Sequence, residues 1–185
     1  MRLSRLKLLA IMALFALPIV ASTIAYHFFP PGATANYGEL IVPPQAITTS
    51  SFRRVGGGEF AFGELRGKWV LMASDSGTCP ASCDAKLLLM RQLRLMLGRN
   101  AHRLSRVFVA DDTYPIAPRA LAPYEGTVVI TPLPGMVLPL SPVNDRAHFY
   151  LADPLGNVMM RFPADAEPRR MLKDLERLLK ASQIG

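Results

Sequence analysis

The sequence predicts an α/β domain, a central mixed sheet flanked by helices, held behind a single N-terminal transmembrane helix. Three observations carry this. An apolar run lies near the N-terminus with basic residues before it. Further on, apolar segments of strand length alternate with segments of helical periodicity. Two cysteines, Cys79 and Cys83, sit where one such strand meets one such helix.

Of the 185 residues 50% are apolar. Setting the N-terminal segment aside leaves about 150, the size of one ordinary domain with one hydrophobic core. Low-complexity tracts and fixed-period repeats are absent, which excludes solenoids, coiled coils and disordered tails. The formal charge is +7. Arg2, Arg5 and Lys7 belong to the N-terminal segment, so the domain carries about +4. A nucleic-acid binder needs a basic stripe interleaved with aromatics. The one candidate stretch, with Lys86, Arg91, Arg94, Arg99, Arg103 and Arg106, reads instead as the solvated face of a helix, with an acidic partner surface or anionic lipid as the other reading. No nucleic-acid partner is expected.

Residues 1–30 form the anchor. The run from Leu8 to Phe29 is interrupted only by Pro18, Ser22, Thr23, Tyr26 and His27, and a membrane helix needs about 20 residues. Arg2, Arg5 and Lys7 precede it without an acidic residue. The N-terminus is therefore expected in the cytoplasm, and all that follows Pro30 on the periplasmic side of a bacterial inner membrane. A cleaved signal peptide is the rival reading. The run exceeds a typical h-region of about 7–15 residues and no clear A-x-A site follows it. Tyr26, Phe28 and Phe29 suit an interfacial aromatic belt, and Pro30-Pro31-Gly32 is expected to end the helix. Residues 31–51, with Pro43-Pro44, read as an extended linker, leaving 52–185 as the folded domain.

In that domain Phe60–Leu65 reads as a short strand or turn, and Trp69–Ala73 as a buried central strand. After the cysteines, Ala85–Leu97 carries Leu87, Met90, Leu93 and Leu97 at helical spacing and ends at Gly98. Val107–Ala110 is a second buried strand that ends in Asp111-Asp112. The proline-rich stretch 113–140 contains one short candidate strand, Val128–Ile130. Ala147–Leu151 and Val158–Phe162 flank the turn Asp153–Asn157 as a β-hairpin. Ala166–Ala181, with Pro168 near its start, is the terminal helix. Strand, cysteine turn, helix, strand, hairpin and helix is the order of a thioredoxin-like fold.

An i, i+4 cysteine pair in the first turn of a helix faces one side, with Cα atoms about 6 Å apart, a separation that a disulfide accepts. The same sulfurs can clamp one soft metal ion. Free N–H groups and the positive end of the helix dipole stabilise thiolate there. A purely structural disulfide is the plainer reading, although so short a loop restricts the unfolded chain little.

The run Gly67-Lys68-Trp69-Val70-Leu71 followed by Thr78-Cys79-Pro80-Ala81-Ser82-Cys83 resembles the SCO/SenC proteins, thioredoxin-fold copper chaperones that help to assemble the CuA centre of cytochrome c oxidase. Phe149–Gly156 is similar to that family's hairpin, and the single N-terminal anchor matches too. The resemblance spans roughly residues 52–180. It implies copper as cofactor, with Cys79 and Cys83 as ligands, and an oxidase subunit or a periplasmic copper chaperone as partner. It also implies a third ligand, a histidine five residues before the hairpin tyrosine, where this chain has Asp145. His148 is the nearest histidine and the remaining candidate, but a shift of three residues inverts its direction on a strand. His102 is more remote. Met90, Met159, Met160 and Met171 fall in helix or strand patterns and read as core. Where the family has proline after the second cysteine, this chain has Asp84, which sets a negative charge beside the thiolates.

Thioredoxin-type reductases differ more. They use CxxC and a cis-proline before the hairpin strand, whereas this chain has CxxxC and about Ala147 at that position. Two functions are therefore expected from the cysteine pair: Cu(I) binding and delivery, since soft Cu(I) suits thiolate, or thiol-disulfide exchange in which Cys79 attacks and Cys83 resolves. An assembly protein that uses the pair only as a disulfide is a third reading.

Overall fold

The computed structural model describes residues 2–28, 36–47, 51–133 and 145–182. The chain divides into two compact units, Met1–Ala35 and Asn36–Gly185.

The first unit contains one helix, α1 (Arg2–Phe28), with Pro18 inside it. Its segment Ala10–Phe28 is long and apolar enough to cross a membrane. Thr23 returns its hydroxyl to the Ile19 carbonyl at 2.8 Å, so that polar group is satisfied within the helix. The helix is a candidate membrane anchor. The Pro30-Pro31-Gly32 stop and Phe29 lie outside the described residues.

The second unit runs β1 (Glu39–Ala46), β2 (Ser51–Arg54), β3 (Glu59–Ala61), β4 (Trp69–Asp75), α2 (Ala81–Met96), β5 (Leu104–Ala110), α3 (Pro118–Leu121), β6 (Thr127–Thr131), β7 (His148–Ala152), β8 (Asn157–Pro163) and α4 (Pro168–Ala181). These strands form one 8-stranded sheet in the order β1-β8-β7-β4-β5-β6-β2-β3. β4, β5 and β6 are parallel, and the remaining pairings are antiparallel. This is the mixed thioredoxin-like sheet that the sequence predicts.

β4 is buried along its whole length, which is why it reads as a continuous apolar run rather than an alternating one. Its side chains divide between two cores. Trp69, Leu71 and Ala73 pack with Leu87, Met90 and Leu93 of α2 and Met171, Leu175 and Leu179 of α4. Val70 and Met72 turn to the other face, with Phe52, Phe60, Val107 and Tyr150. Met90, Met160 and Met171 are fully buried core residues and Met159 packs against them, as their pattern predicts.

Three segments differ from the sequence expectation. Residues 39–46, placed in the linker, form the edge strand β1, which pairs with β8 from Glu39 opposite Arg161 to Ala46 opposite Asn157. Pro43-Pro44 obscures that strand in the sequence. Prolines are accommodated at a sheet edge, and the register shifts between Leu40 and Gln45 where they lie. The buried Asp174 of α4 accepts the Tyr37 and Gly38 N–H groups at 2.7 and 2.8 Å, so the chain entering β1 is fastened to α4.

The helix after the cysteines begins at Ala81, earlier than Ala85, because its first turn carries almost no apolar periodicity. Finally, the basic stretch is not one solvated helix face. α2 ends at Met96, Arg103 falls in a 3-10 turn, and Arg106 lies on β5. Lys86 and Arg106 are buried, at 4% and 3% exposure.

Candidate functional site

The parallel strands β4 and β5 end at the same edge of the sheet, Asp75 opposite Ala110 in register. The segment 76–80 that leaves β4 there is fixed by local hydrogen bonds. Ser76 N–H donates to Asp75 Oδ1 at 2.8 Å, Thr78 N–H to Ser76 Oγ at 3.2 Å, and Cys79 N–H to the Ser76 carbonyl at 3.0 Å. Gly77 N–H reaches across to Asp112 Oδ1 at 2.9 Å. A Cβ at Gly77 would lie 1.7 Å from the Tyr114 carbonyl oxygen, so only glycine lets the cysteine turn approach the loop after β5 this closely.

Cys79 adopts φ 48, in the left-handed region, and Pro80 then stands at the N-cap of α2. Cys79 therefore precedes the helix, and Cys83 lies within its first turn. The expectation of a pair inside one helical turn is corrected in this respect: the two Cα atoms are 5.0 Å apart and the sulfurs are joined as a disulfide. Cys83 is fully buried in the core that also holds Ala73 and Phe149, while Cys79 is half-buried and packs against that core. Cys79 is the more exposed of the two, and it lies at the N-terminal end of α2, where a helix dipole favours thiolate.

Two cations, Lys86 and Arg146, meet the carboxylates beneath and beside the pair. Lys86 Nζ donates to the Ser74 carbonyl and to Asp75 Oδ2, both at 2.8 Å, and both side chains of this ion pair are 4% exposed. Burial pushes the Asp75 carboxyl up, but hydrogen bonds from Lys86, Ser76 N–H and Ser82 outweigh it and leave the group below its ordinary value. Arg146, just before β7, donates from Nε to Asp111 Oδ2 at 2.8 Å, and its guanidinium also contacts Asp112 and lies 4.0 Å from Asp75. Burial raises the Asp112 carboxyl too, and hydrogen bonds from Ser76 and from the Gly77 and Tyr114 N–H groups more than reverse this.

Asp84, exposed in the first turn of α2, is hydrogen-bonded. Its Oδ1 accepts the Tyr124 hydroxyl, and burial together with that bond and charge pushes the Tyr124 phenol up to about 12.

His148 and the cysteines are on different faces. His148 opens β7, where Phe149 packs with Cys83 and Tyr150 points to the opposite core. Strand alternation places His148 with Tyr150, and their rings are 6.1 Å apart. Asp145 holds both: its Oδ2 accepts from His148 Nδ1 and, at 2.9 Å, from the Tyr150 hydroxyl. The position at which the resembling family carries its third ligand is thus tied to the Tyr150 side of the sheet. His102 lies in the 3-10 turn beyond α2, whose run from Cys83 to Met96 alone spans about 20 Å, and its Nδ1 lies 2.8 Å from the Arg99 carbonyl oxygen. Among the described residues no three His, Cys, Asp or Glu side chains are grouped to hold a metal ion. The donor set at the sheet end is the two sulfurs.

The sequence reading did not single out Asp75 or Arg146 and assigned Lys86 to a solvated face. Asp75 at the end of an apolar run was the available signal, because a buried carboxylate calls for a partner.

Residues 69–182 match the family described as transmembrane-like, thioredoxin-like, C-terminal domain, and the chain belongs to it. No curated protein matches the chain in sequence. Among solved structures, apo Sco1 from Thermus thermophilus superposes with a TM-score of 0.66 at 17% identity, over 80% of this chain and 99% of that one. The copper-bound ScoI of Bradyrhizobium japonicum gives 0.59 at 17% identity, over 71% and 98%. BsSco, described as a member of the Sco family of cytochrome c oxidase assembly proteins with a disulfide switch, gives 0.55 at 14% identity, over 73% and 94%. At such identities the likeness is one of fold.

Replacing Lys86 by Met is expected to lower the unfolding free energy by about 3 kcal/mol, since it leaves the buried Asp75 with only the Arg146 guanidinium, 4.0 Å away, as counter-charge. Asp75→Asn combined with Lys86→Met should recover most of that loss in urea denaturation. An equal or larger loss in the double variant would contradict the pairing.

Proposed function

We propose that the chain is a membrane-anchored, copper-handling thiol protein. The reduced Cys79 and Cys83 hold one Cu(I) and pass it to a cytochrome c oxidase subunit, at the CuA centre, after receiving it from a periplasmic copper chaperone or free pool. The observation that carries this reading is the sulfur pair at the open end of a Sco-like sheet, one sulfur buried and one half-buried. Cu(I) accepts low coordination numbers and soft ligands, so two thiolates suffice, whereas Cu(II) prefers further nitrogen or oxygen donors. The copper-bound ScoI structure supports copper as cargo, and the description of BsSco supports oxidase assembly as the setting. His148 is not needed as a ligand in this account. Taking the disulfide to the copper-binding dithiol requires two electrons and two protons from a donor dithiol, which becomes a disulfide.

The disulfide itself favours a second reading, a thiol-disulfide oxidoreductase acting on an oxidase subunit or copper chaperone. Cys79 thiolate attacks a client disulfide and displaces one client thiolate, which takes up a proton. Cys83 then attacks the mixed disulfide, frees the second client sulfur as a thiol after protonation, and re-forms the Cys79–Cys83 bond.

Titrating the reduced protein against a competing Cu(I) chelator separates these readings. About one Cu(I) per chain is expected, lost in Cys79→Ser and in Cys83→Ser and kept at the same order of affinity in His148→Ala. No binding in the unaltered protein would leave the oxidoreductase reading. A loss in His148→Ala equal to that in the cysteine variants would make His148 a ligand.

The anchor reading places the domain in the periplasm, because the N-terminal flank carries Arg2, Arg5 and Lys7 without acidic residues. Alkaline phosphatase fused after Gly185 should be active. Activity only from a cytoplasmic reporter would reverse the topology.

A further inference from the structure

The charges of the folded unit are unevenly divided. α2, the 3-10 turn that follows it to Arg103, and α4 pack as one layer against the sheet. Positions 81–103 and 168–181 of this layer carry ten basic and three acidic residues, whereas the rest of 36–185 carries eight basic and eleven acidic ones. The helical layer is therefore formally +7 and the remainder −3, so the whole basic excess of the domain lies on its helices.

The outer side of α2 adds an apolar component. Cys83, Leu87, Met90 and Leu93 turn to the core. Leu88, Arg91 and Leu95 follow at i, i+3 and i+7 and stand together on the side away from it, with Leu88 and Leu95 about 10 Å apart along the axis. Leu88 is 40%, Leu95 62% and Met96 41% exposed, and neither core cluster includes them. Lys86 is held by Asp75, and Arg103 by the Leu179 and Ser182 carbonyls. Arg91, Arg99, Lys173 and Lys180 are exposed, and among the described residues no ion pair engages them. Of the acids in the layer, Asp174 is buried and holds the Tyr37 and Gly38 N–H groups, and Asp84 accepts the Tyr124 hydroxyl. Glu176 is left against these cations.

Exposed cations set around exposed leucines select among acidic partners. Nucleic acid calls for aromatic side chains on which bases stack, and neither α2 nor α4 contains one. A bilayer of anionic lipid receives both parts of the surface at once. The cations meet its phosphodiesters, and the leucines enter the acyl boundary just beneath them. The chain brings that bilayer with it through Ala10–Phe28, in the anchor reading on which this inference rests.

We propose that the outer face of α2, with Lys173 and Lys180 of α4 in the same layer, docks on the surface of an anionic phospholipid bilayer. Leu88, Leu95 and Met96 supply the apolar contact, and Arg91 and Arg99 the headgroup contacts. Docking carries Cys79, at the N-terminal end of the same helix, to the lipid surface, where a membrane-embedded client presents its own sulfurs. The surface shares no residue with the sulfur pair, so it stands or falls apart from the copper reading.

The test uses the full chain in nanodiscs whose lipids carry brominated acyl chains, which quench tryptophan on contact. Leu95→Trp places a reporter at an exposed position, and Trp69, the single native tryptophan, is 5% exposed and supplies the background. Discs of phosphatidylglycerol are compared with discs of phosphatidylcholine at one low ionic strength. The emission added by Leu95→Trp should be quenched about twofold more strongly in phosphatidylglycerol. That difference should vanish when Arg91→Glu and Arg99→Glu are added, and in the unaltered protein Trp69 should show none of it. Failure of the chain to enter discs of either lipid would overturn the anchor reading and this inference with it. Entry without extra quenching in phosphatidylglycerol would overturn the inference alone and leave the basic layer to an acidic protein. Extra quenching that persists undiminished after Arg91→Glu and Arg99→Glu would overturn it as well.

Discussion

The ion pair between Lys86 and Asp75 fixes the end of the molecule where the sulfurs lie. Neither group can be solvated at its depth, so the ammonium must stay within reach of Oδ2 and the Ser74 carbonyl. That requirement sets the first turns of α2 against the end of β4. Cys83 lies one turn before Lys86 and is carried into the core that also holds Ala73 and Phe149. Cys79, four residues after Asp75, is left half-buried. One buried pair therefore decides which sulfur is hidden and which is more exposed.

The same end of the sheet gathers Asp75, Asp84, Asp111 and Asp112, a concentration of negative charge that would oppose thiolate formation. Each is drawn elsewhere: Asp75 to Lys86, Asp84 to Tyr124, Asp112 to the Gly77 N–H, and Asp111 to Arg146. Arg146 joins the chain before β7 to the ends of β4 and β5, so hairpin position and charge balance are linked. Thiolate stabilisation is then left to the N-terminal end of α2, which suits either a soft metal or an attacking sulfur.

Elements with strong periodicity were legible in the sequence. β4, β5, the β7–β8 hairpin and α4 follow from apolar runs, a turn of known composition and one-face spacing, because local pattern and tertiary burial agree there. β1 was hidden by Pro43-Pro44, which suggest a linker unless β8 is known to lie alongside. The start of α2 was hidden because Ala81 and Ser82 offer little apolar signal. Lys86 and Arg106 read as surface because charge normally does. Their partners, Asp75 and the Glu125 carbonyl, come from other elements that local pattern cannot pair with them. The wrong-facing direction of His148 was legible, since it follows from strand parity alone. The hold of Asp145 on it was not.

The central claim is that Cys79 and Cys83 are a working pair and not a staple. By loop entropy a disulfide closing so short a loop stabilises the fold by roughly 2 kcal/mol, against about 5–15 kcal/mol for a typical domain. The direct measurement is circular dichroism and thiol alkylation on the same reduced sample. The account predicts an unchanged spectrum in the folded state, with Cys79 alkylated faster than the buried Cys83 and the disulfide re-forming on oxidation. Unfolding on reduction, or a folded reduced protein whose thiols both resist alkylation, would contradict it.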